Sequence, residues 1–121
     1  MILELLKFQN QIKIYHWSCE TYSQHKVFGD LYEKIDALFD KFVESYMGAA
    51  GGRLYLDKDV SIDKLNSFQK ENSIKYLAEF VNYLNSDFEK SCKDKKDLLN
   101  IRDEIVSEIH VSIYLLNLSD S

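Results

Sequence analysis

The sequence predicts an all-α fold, and three observations lead to this prediction. Proline is absent, and only 4 glycines occur in 121 residues. Because proline and glycine are the residues that most often interrupt helices, their scarcity favours long helices over strands and turns. Four segments repeat apolar residues every three or four positions, which is the spacing of one helical face. Hydrophobic residues make up 45% of the chain, which is enough for a single globular domain over residues 1–121.

The first two predicted helices cover residues 2–18 and 24–47, with a short connection between them. One face of each is apolar: Leu5, Phe8, Ile12, Tyr15 and Cys19 in the first, and Phe28, Leu31, Tyr32, Ile35, Leu38, Phe39, Phe42 and Tyr46 in the second. Ser23 is a residue type that often caps helix N-termini, so it predicts the start of the second helix. Gly48, followed by Gly51 and Gly52, predicts its end.

A long connection and two further helices complete the predicted fold. The segment 53–67 has an apolar stretch at 54–56 and a candidate helical turn at 61–65, and it predicts a long crossover connection. The third helix covers 69–86 and the fourth covers 94–117, with apolar faces formed by Ile74, Leu77, Phe80, Val81 and Leu84 and by Leu98, Ile101, Ile105, Ile109, Ser112 and Leu116. This order of elements is the connectivity of the ferritin-like four-helix bundle with a long crossover, although other four-helix proteins share the pattern.

Charge and cysteine content narrow the classes of function. The formal net charge is −5, so we expect no nucleic-acid partner, because phosphate contacts require a basic surface. Cys19 and Cys92 are the only cysteines, and their spacing does not predict a zinc site. The first residues lack the pattern of a secretory or membrane segment. We therefore expect reduced thiols in a cytoplasmic protein that does not contact a membrane.

Asp40 and Glu44 are candidate metal ligands on the second predicted helix. They are four residues apart, so their carboxylates share one face, displaced by about 100° or more from the apolar stripe. Two such carboxylates repel each other, and a cation between them would turn the repulsion into attraction. Carboxylates together with imidazoles suit Fe(II), Mn(II) and Zn(II). The alternative is a solvated acidic helix face that also includes Glu33 and Asp36.

Two of the 3 histidines are candidate partners of these carboxylates. His16 lies at the end of the first predicted helix, beside Trp17, and His25 lies in the first turn of the second. The alternative for each is a surface or capping residue. His110, in the fourth helix, has no Glu three residues before it, so the Glu-x-x-His signature of di-iron bundles is missing there. We interpret His110 as structural.

The first half of the chain contains a series of residues in a characteristic order. The series is Tyr15, His16, Trp17, His25, Phe28, Leu31, Tyr32, Asp40, Glu44, Gly51 and Gly52. In this order, and in the step from His25 to Asp40, residues 5–52 resemble the mini-ferritin (Dps-type) branch of the ferritin-like superfamily. The fourth predicted helix is similar to that family in character only.

The resemblance implies an iron site shared between chains in a homodimer or larger homo-oligomer. His16 and His25 would come from one chain, and Asp40 and Glu44 from its two-fold partner. Such a site would bind Fe(II), with Mn or Zn as alternatives, and would act as a ferroxidase that uses peroxide or O₂. Asp36, on the same acidic stripe, and Trp17, which could supply an electron, are the accessory candidates.

Several features depart from the family pattern. Gly29 stands where the family often has a further acidic ligand, and the connection between His16 and His25 is shorter than usual. The first predicted helix begins at once, so we expect no lysine-rich N-terminal tail. These departures argue against a cage, iron storage and DNA binding, and they leave a second hypothesis, a non-catalytic helical oligomerisation or interaction module. The shortened, tyrosine-rich form is also similar to uncharacterised ferritin-like proteins of large DNA viruses and phages, a likeness that assigns no activity.

Overall fold

The structure, a computed structural model, describes residues 1–118, and within this range every regular element is an α-helix. The helices are α1 (Ile2–Ser18), α2 (Tyr22–Ala50), α3 (Lys70–Leu84), α4 (Asp87–Ser91) and α5 (Lys96–Leu118). The predicted all-α class is therefore confirmed for this part of the chain. The short helix α4 was not predicted, because one turn is too short to show an apolar period.

Helices α1 and α2 form an antiparallel pair joined by a short turn. Contacts between them connect successively later residues of α1 with successively earlier residues of α2. Gln9 Nε2 donates to Asp36 Oδ1 at 2.6 Å, and the Lys13 ammonium lies 4.2 Å from the centre of the Tyr32 ring. This register brings the end of α1 beside the beginning of α2.

The connection between α2 and α3 runs along α1. It begins beside Ile2, which lines a small cavity together with Leu54, and it ends where the Phe68 backbone N–H donates to Ser18 Oγ at 2.8 Å. Between these points the side chain of Gln11 makes two hydrogen bonds to the Asn66 backbone, at 2.7 and 2.9 Å. Because this segment spans the length of α1, α3 starts at the same end as α2 and runs parallel to it.

Both predicted ends of the second helix were wrong. The N-cap is Thr21, whose hydroxyl accepts from the Gln24 backbone N–H at 3.2 Å, so the helix begins before Ser23. At the other end α2 continues through Gly48. It stops at Gly51, which adopts the left-handed conformation with φ 82°, and the Gly51 N–H donates to the Met47 carbonyl at 2.8 Å. A glycine ends a helix only where its backbone actually turns left-handed, and Gly48 stays helical.

The core contains most of the apolar residues that the helical spacing predicted. Phe8 lies at its centre, fully buried, with its ring 3.9 Å from that of Phe80 and parallel to it within 14°. The predicted face of α5 is buried along its whole length. Some predicted core residues are only partly buried at the edge of the core: Cys19, Tyr32, Leu38, Tyr46 and Ile74. Among residues 1–118, no helix combines the length and apolarity that a membrane span needs.

Candidate metal centre

His16 and His25 meet where α1 and α2 join. Their imidazole rings stack with centroids 3.8 Å apart and planes 20° apart. The Nδ1–H of His16 donates to the backbone carbonyl of His25 at 2.8 Å, and the Nδ1–H of His25 donates to the backbone carbonyl of His16, also at 2.8 Å. The two helices are therefore linked by a reciprocal pair of hydrogen bonds through the histidines.

These hydrogen bonds determine which ring nitrogen of each histidine can bind a metal. A carbonyl oxygen only accepts, so each Nδ1 must carry the proton. In a neutral ring the lone pair is then on Nε2. Neither Nε2 has a hydrogen-bond partner among the described residues. Metal-binding histidines commonly have this arrangement, with Nδ1 donating to a backbone carbonyl and Nε2 free for the metal.

Two features of the sequence hold the histidine pair together. The Thr21–Gln24 capping box fixes the first turn of α2, and His25 follows it directly. Further along α2, Gly29 leaves space for the His16 ring: a Cβ atom at this position would lie only 2.8 Å from His16 Cε1. At position 29 the structure therefore has a close approach of imidazole and helix backbone.

The histidine pair borders an open depression of about 350 Å³ that also includes Lys13, Tyr32 and Glu33. The Lys13 ammonium lies 4.2 Å from the centre of the Tyr32 ring and 5.4 Å from that of Trp17. Such cation–π contacts are worth about 0.5–1 kcal/mol at exposed sites. The Trp17 side chain is 68% exposed. The accessory candidate Trp17 thus contacts Lys13, which lines this depression.

The predicted carboxylate ligands lie further along α2. Asp40 and Glu44 are exposed, and so is Asp36, which accepts the hydrogen bond from Gln9. His25 and Asp40 are fifteen residues apart on one helix, which corresponds to about 22 Å. Within residues 1–118, no three His, Cys, Asp or Glu side chains come together as a metal site. One chain therefore brings the two histidines together but not the carboxylates with them.

Several acidic side chains of α2 have no ion-pair partner among residues 1–118, whereas Asp30 pairs with Lys26 at 3.7 Å. No salt bridge among residues 1–118 involves Glu33, Asp40 or Glu44. On a helical wheel Asp40 is about 60° from His25, so both lie on the same side of α2. Along the helix axis they are about 22 Å apart, so they lie towards the two ends of one side of α2. His110 is exposed on α5, not on this helix.

Comparison with known proteins gives a family but no activity. Residues 16–116 match the model of a family of unknown function, DUF5856. The chain belongs to this family. No curated protein and no solved structure matches it. In this DUF5856 member the matched region includes both histidines, Asp40 and Glu44.

Sequence reasoning missed the mutual hydrogen bonding of the two histidines and the position of Lys13. The first depends on how closely α1 and α2 approach, and Gly29 was the signal that could have indicated it. The second had a local signal, because Lys13 and Trp17 are four residues apart and therefore neighbours on the helix surface.

Proposed function

We propose that this protein binds a divalent metal between two copies of the chain, with Fe(II) as the first candidate and Mn(II) or Zn(II) as alternatives. His16 and His25 of one chain would provide imidazole nitrogens, and Asp40 and Glu44 of the partner subunit would provide carboxylate oxygens. The observation that carries the proposal is the stacked histidine pair: both Nδ1 atoms are hydrogen-bonded, and neither Nε2 atom has a hydrogen-bond partner within residues 1–118.

A two-fold pairing of α2 helices would bring the ligands together. If two α2 helices lie antiparallel with the axis between Tyr32 and Glu33, His25 of one chain is level with Asp40 of the partner subunit. Gly29 is then level with Asp36 of the partner subunit. Within one chain His25 and Asp40 stay about 22 Å apart, but in this two-fold dimer His25 would lie beside Asp40 of the partner subunit.

The proposed ligand atoms, imidazole nitrogen and carboxylate oxygen, suit a divalent metal ion that is a hard or borderline Lewis acid. Imidazole with carboxylate is a ligand combination for Fe(II), Mn(II) and Zn(II), whereas sulfur-rich sites select softer metals. Asp40 and Glu44, which have no ion-pair partner among the described residues, would gain most from a bound cation. If Fe(II) is a substrate, two Fe(II) ions give one electron each to hydrogen peroxide. With two protons the products are two Fe(III) ions and two water molecules.

We also propose a ferritin-like arrangement of the long helices. The order of α1, α2, α3 and α5, with the long segment between α2 and α3, supports it. So does the direction of α3, which is parallel to α2 and antiparallel to α1. Cys19 and Cys92, which form no disulfide, support a cytoplasmic protein. The acidic face of α2 argues against a nucleic-acid partner.

Anaerobic titration of the purified protein with Fe(II) tests the proposed function. We expect saturable binding at about one metal per chain, since each two-fold dimer would hold two equivalent sites. The His25→Ala variant should lose tight binding while its helix content, measured by circular dichroism, stays unchanged. His110→Ala, which changes an exposed histidine on α5, is the matched control and should bind like the wild type. Tight binding that survives in the His25→Ala variant would refute the site.

Addition of peroxide after the titration tests ferroxidase activity separately. Rapid growth of ferric charge-transfer absorbance would show oxidation of the bound Fe(II). Binding without faster oxidation than that of free Fe(II) would instead indicate a metal-stabilised dimer that does not turn over.

A non-catalytic interaction module is the second candidate function. Gly29 in place of an acidic residue, and the exposed positions of Asp40 and Glu44, favour it. In that case the helical assembly would still dimerise, but it would not bind Fe(II), Mn(II) or Zn(II) in the titration.

A further inference from the structure

We propose that a second copy of this chain docks on the α1–α2 face through a reciprocal pair of salt bridges that needs no metal. In each bridge Lys13 of one chain pairs with Glu33 of the partner subunit. This inference rests on the two-fold α2 pairing of the proposed function. It adds the residues that hold the two chains together when the metal site is empty.

Lys13 is a cation held in place without a carboxylate partner among residues 1–118. Its ammonium is positioned by the rings of Tyr32 and Trp17, at 4.2 and 5.4 Å from their centres. No salt bridge among the described residues includes it. The side chain as a whole is half-buried against the α2 surface. A charged group held against aromatic faces in this way is ordered before a partner arrives, so less conformational entropy is lost on binding.

Glu33 is the acidic counterpart on the same face. It is exposed, it borders the same depression as Lys13, and it makes no ion pair within residues 1–118. It directly follows Tyr32, and the proposed axis passes between these two residues. Tyr32 of one chain is therefore level with Glu33 of the partner subunit. Because Lys13 lies over Tyr32, the partner's carboxylate would arrive at the ammonium, and symmetry would repeat the contact.

Charge complementarity favours a second copy over another partner. A uniformly acidic partner would pair with Lys13 but would repel Glu33, Asp36 and Asp40. A uniformly basic partner would pair with those carboxylates but would repel Lys13. A surface with a cation and an acidic stripe in the reverse order matches both, and an antiparallel copy of this face has that order.

Mixing two charge-reversed variants in EDTA tests the inference. We expect the wild type to dimerise in EDTA, measured by sedimentation at several protein concentrations. Lys13→Glu alone and Glu33→Lys alone should each weaken the dimer by about tenfold or more, because two attractive contacts become repulsive. Mixed together, the two variants should form heterodimers as tightly as the wild type, since both contacts are then attractive again. Native mass spectrometry of differently tagged chains would count the heterodimers.

Controls separate a specific contact from a general charge effect. Lys75→Glu and Glu79→Lys make the same charge changes on exposed positions of α3. Alone they should leave dimerisation unchanged, and mixed they should show no preference for heterodimers. Lys13→Gln and Glu33→Gln remove the attraction without adding repulsion, and each should weaken the dimer less than the corresponding charge reversal. These two variants keep the test valid if a charge reversal disturbs folding.

The outcomes distinguish this inference from the metal proposal. A wild type that is monomeric in EDTA, charge-reversed variants that dimerise normally, or a mixture that does not recover dimers would each overturn the Lys13–Glu33 contact. The contact would also be overturned if the mixture of the α3 control variants showed the same preference for heterodimers as the mixture of Lys13→Glu and Glu33→Lys. Recovery of dimers in the mixture, together with no Fe(II) binding by the wild type, would leave this inference standing while the metal site fails.

Discussion

At the scale of single residues, Gly29 decides how closely the His16 imidazole approaches α2. A Cβ atom there would lie 2.8 Å from His16 Cε1 and 3.2 Å from its Nδ1, closer than non-bonded atoms normally come. The His16 ring would have to move, and the 2.8 Å hydrogen bond to the His25 carbonyl would lengthen or break. Gly29 therefore affects the proposed metal site indirectly, because it leaves the space in which the His16 imidazole keeps its orientation.

We predict that Gly29→Ala weakens Fe(II) or Mn(II) binding by about tenfold or more, the usual effect of losing a hydrogen bond that orients a metal-binding histidine. Gly48→Ala is the matched control, because a Cβ atom at that helical position meets nothing within 4 Å. It should leave binding unchanged and stabilise the protein by about 0.5–1 kcal/mol, as alanine favours helix more than glycine does. Calorimetric titration and urea unfolding measure the two effects. Equal metal affinity in both variants would contradict this role of Gly29.

At the scale of elements, the start of α2 depends on a capping box. Thr21 Oγ1 accepts from the Gln24 backbone N–H at 3.2 Å, and Gln24 Oε1 accepts from the Thr21 backbone N–H, also at 3.2 Å. Gln24 is itself fully buried, and its Nε2 has no hydrogen-bond partner among the described residues. Since His25 lies in the turn that this box fixes, the cap also positions the histidine pair.

Substitution of the cap residue should show which side chain starts α2. We predict that Thr21→Ala lowers the free energy of unfolding by about 1 kcal/mol, the typical effect of losing an N-cap. Ser23→Ala should lower it less than Thr21→Ala, because Ser23 is exposed, lies inside the helix and contacts the Thr21 hydroxyl at 3.2 Å without capping the helix itself. Urea unfolding followed by circular dichroism compares the two. A larger loss for Ser23→Ala would mean that the cap is assigned to the wrong residue.

At the scale of the whole molecule, aromatic rings connect the helices through the core. Tyr15 of α1 meets Phe28 of α2 at 5.4 Å and Tyr76 of α3 at 6.0 Å between ring centres. Phe8 stacks against Tyr76 at 5.7 Å and against Phe80 at 3.9 Å. Burial raises the pKa of Tyr76 and of Tyr15 above the ordinary value of 10.0, because a phenolate is poorly solvated in this environment.

This burial predicts alkaline unfolding. The folded protein holds the phenol protons more tightly than the unfolded chain, so their contribution to stability is complete below pH 10 and is lost as pH rises further. Each such group lowers the free energy of unfolding by about 1.4 kcal/mol per pH unit between its unfolded and folded pKa. Tyr76→Phe should therefore move the midpoint of alkaline unfolding to higher pH.

Circular dichroism during an alkaline titration measures this midpoint. Tyr22→Phe is the control, because Tyr22 is 78% exposed and its removal should leave the midpoint unchanged. The same midpoint for wild type and Tyr76→Phe would show that Tyr76 is not the group that titrates.

The sequence predicted the helices better than their ends. Apolar spacing depends on local geometry, so the face of α5 from Leu98 to Leu116 was predicted correctly before any packing was known. The end of α2 depends on which glycine adopts a left-handed conformation, and Gly48 and Gly51 look alike in the sequence. The start of α2 depended on a choice between Thr21 and Ser23; both residue types cap helices, and Ser is in general the more favoured of the two.

In the candidate site, too, the sequence determines some features and only the tertiary structure determines others. The sequence by itself determined the all-α class, the apolar faces and the order of His16, His25, Asp40 and Glu44, because these depend on residue type and spacing along one chain. Only the tertiary structure decided that the two histidines stack and hydrogen-bond each other's backbone. It also decided that Gly29 makes room for them and that Lys13 lies over Tyr32. These features require two helices to meet at a particular distance and register. The packing of the whole core sets that distance and register, and the local sequence pattern does not determine them.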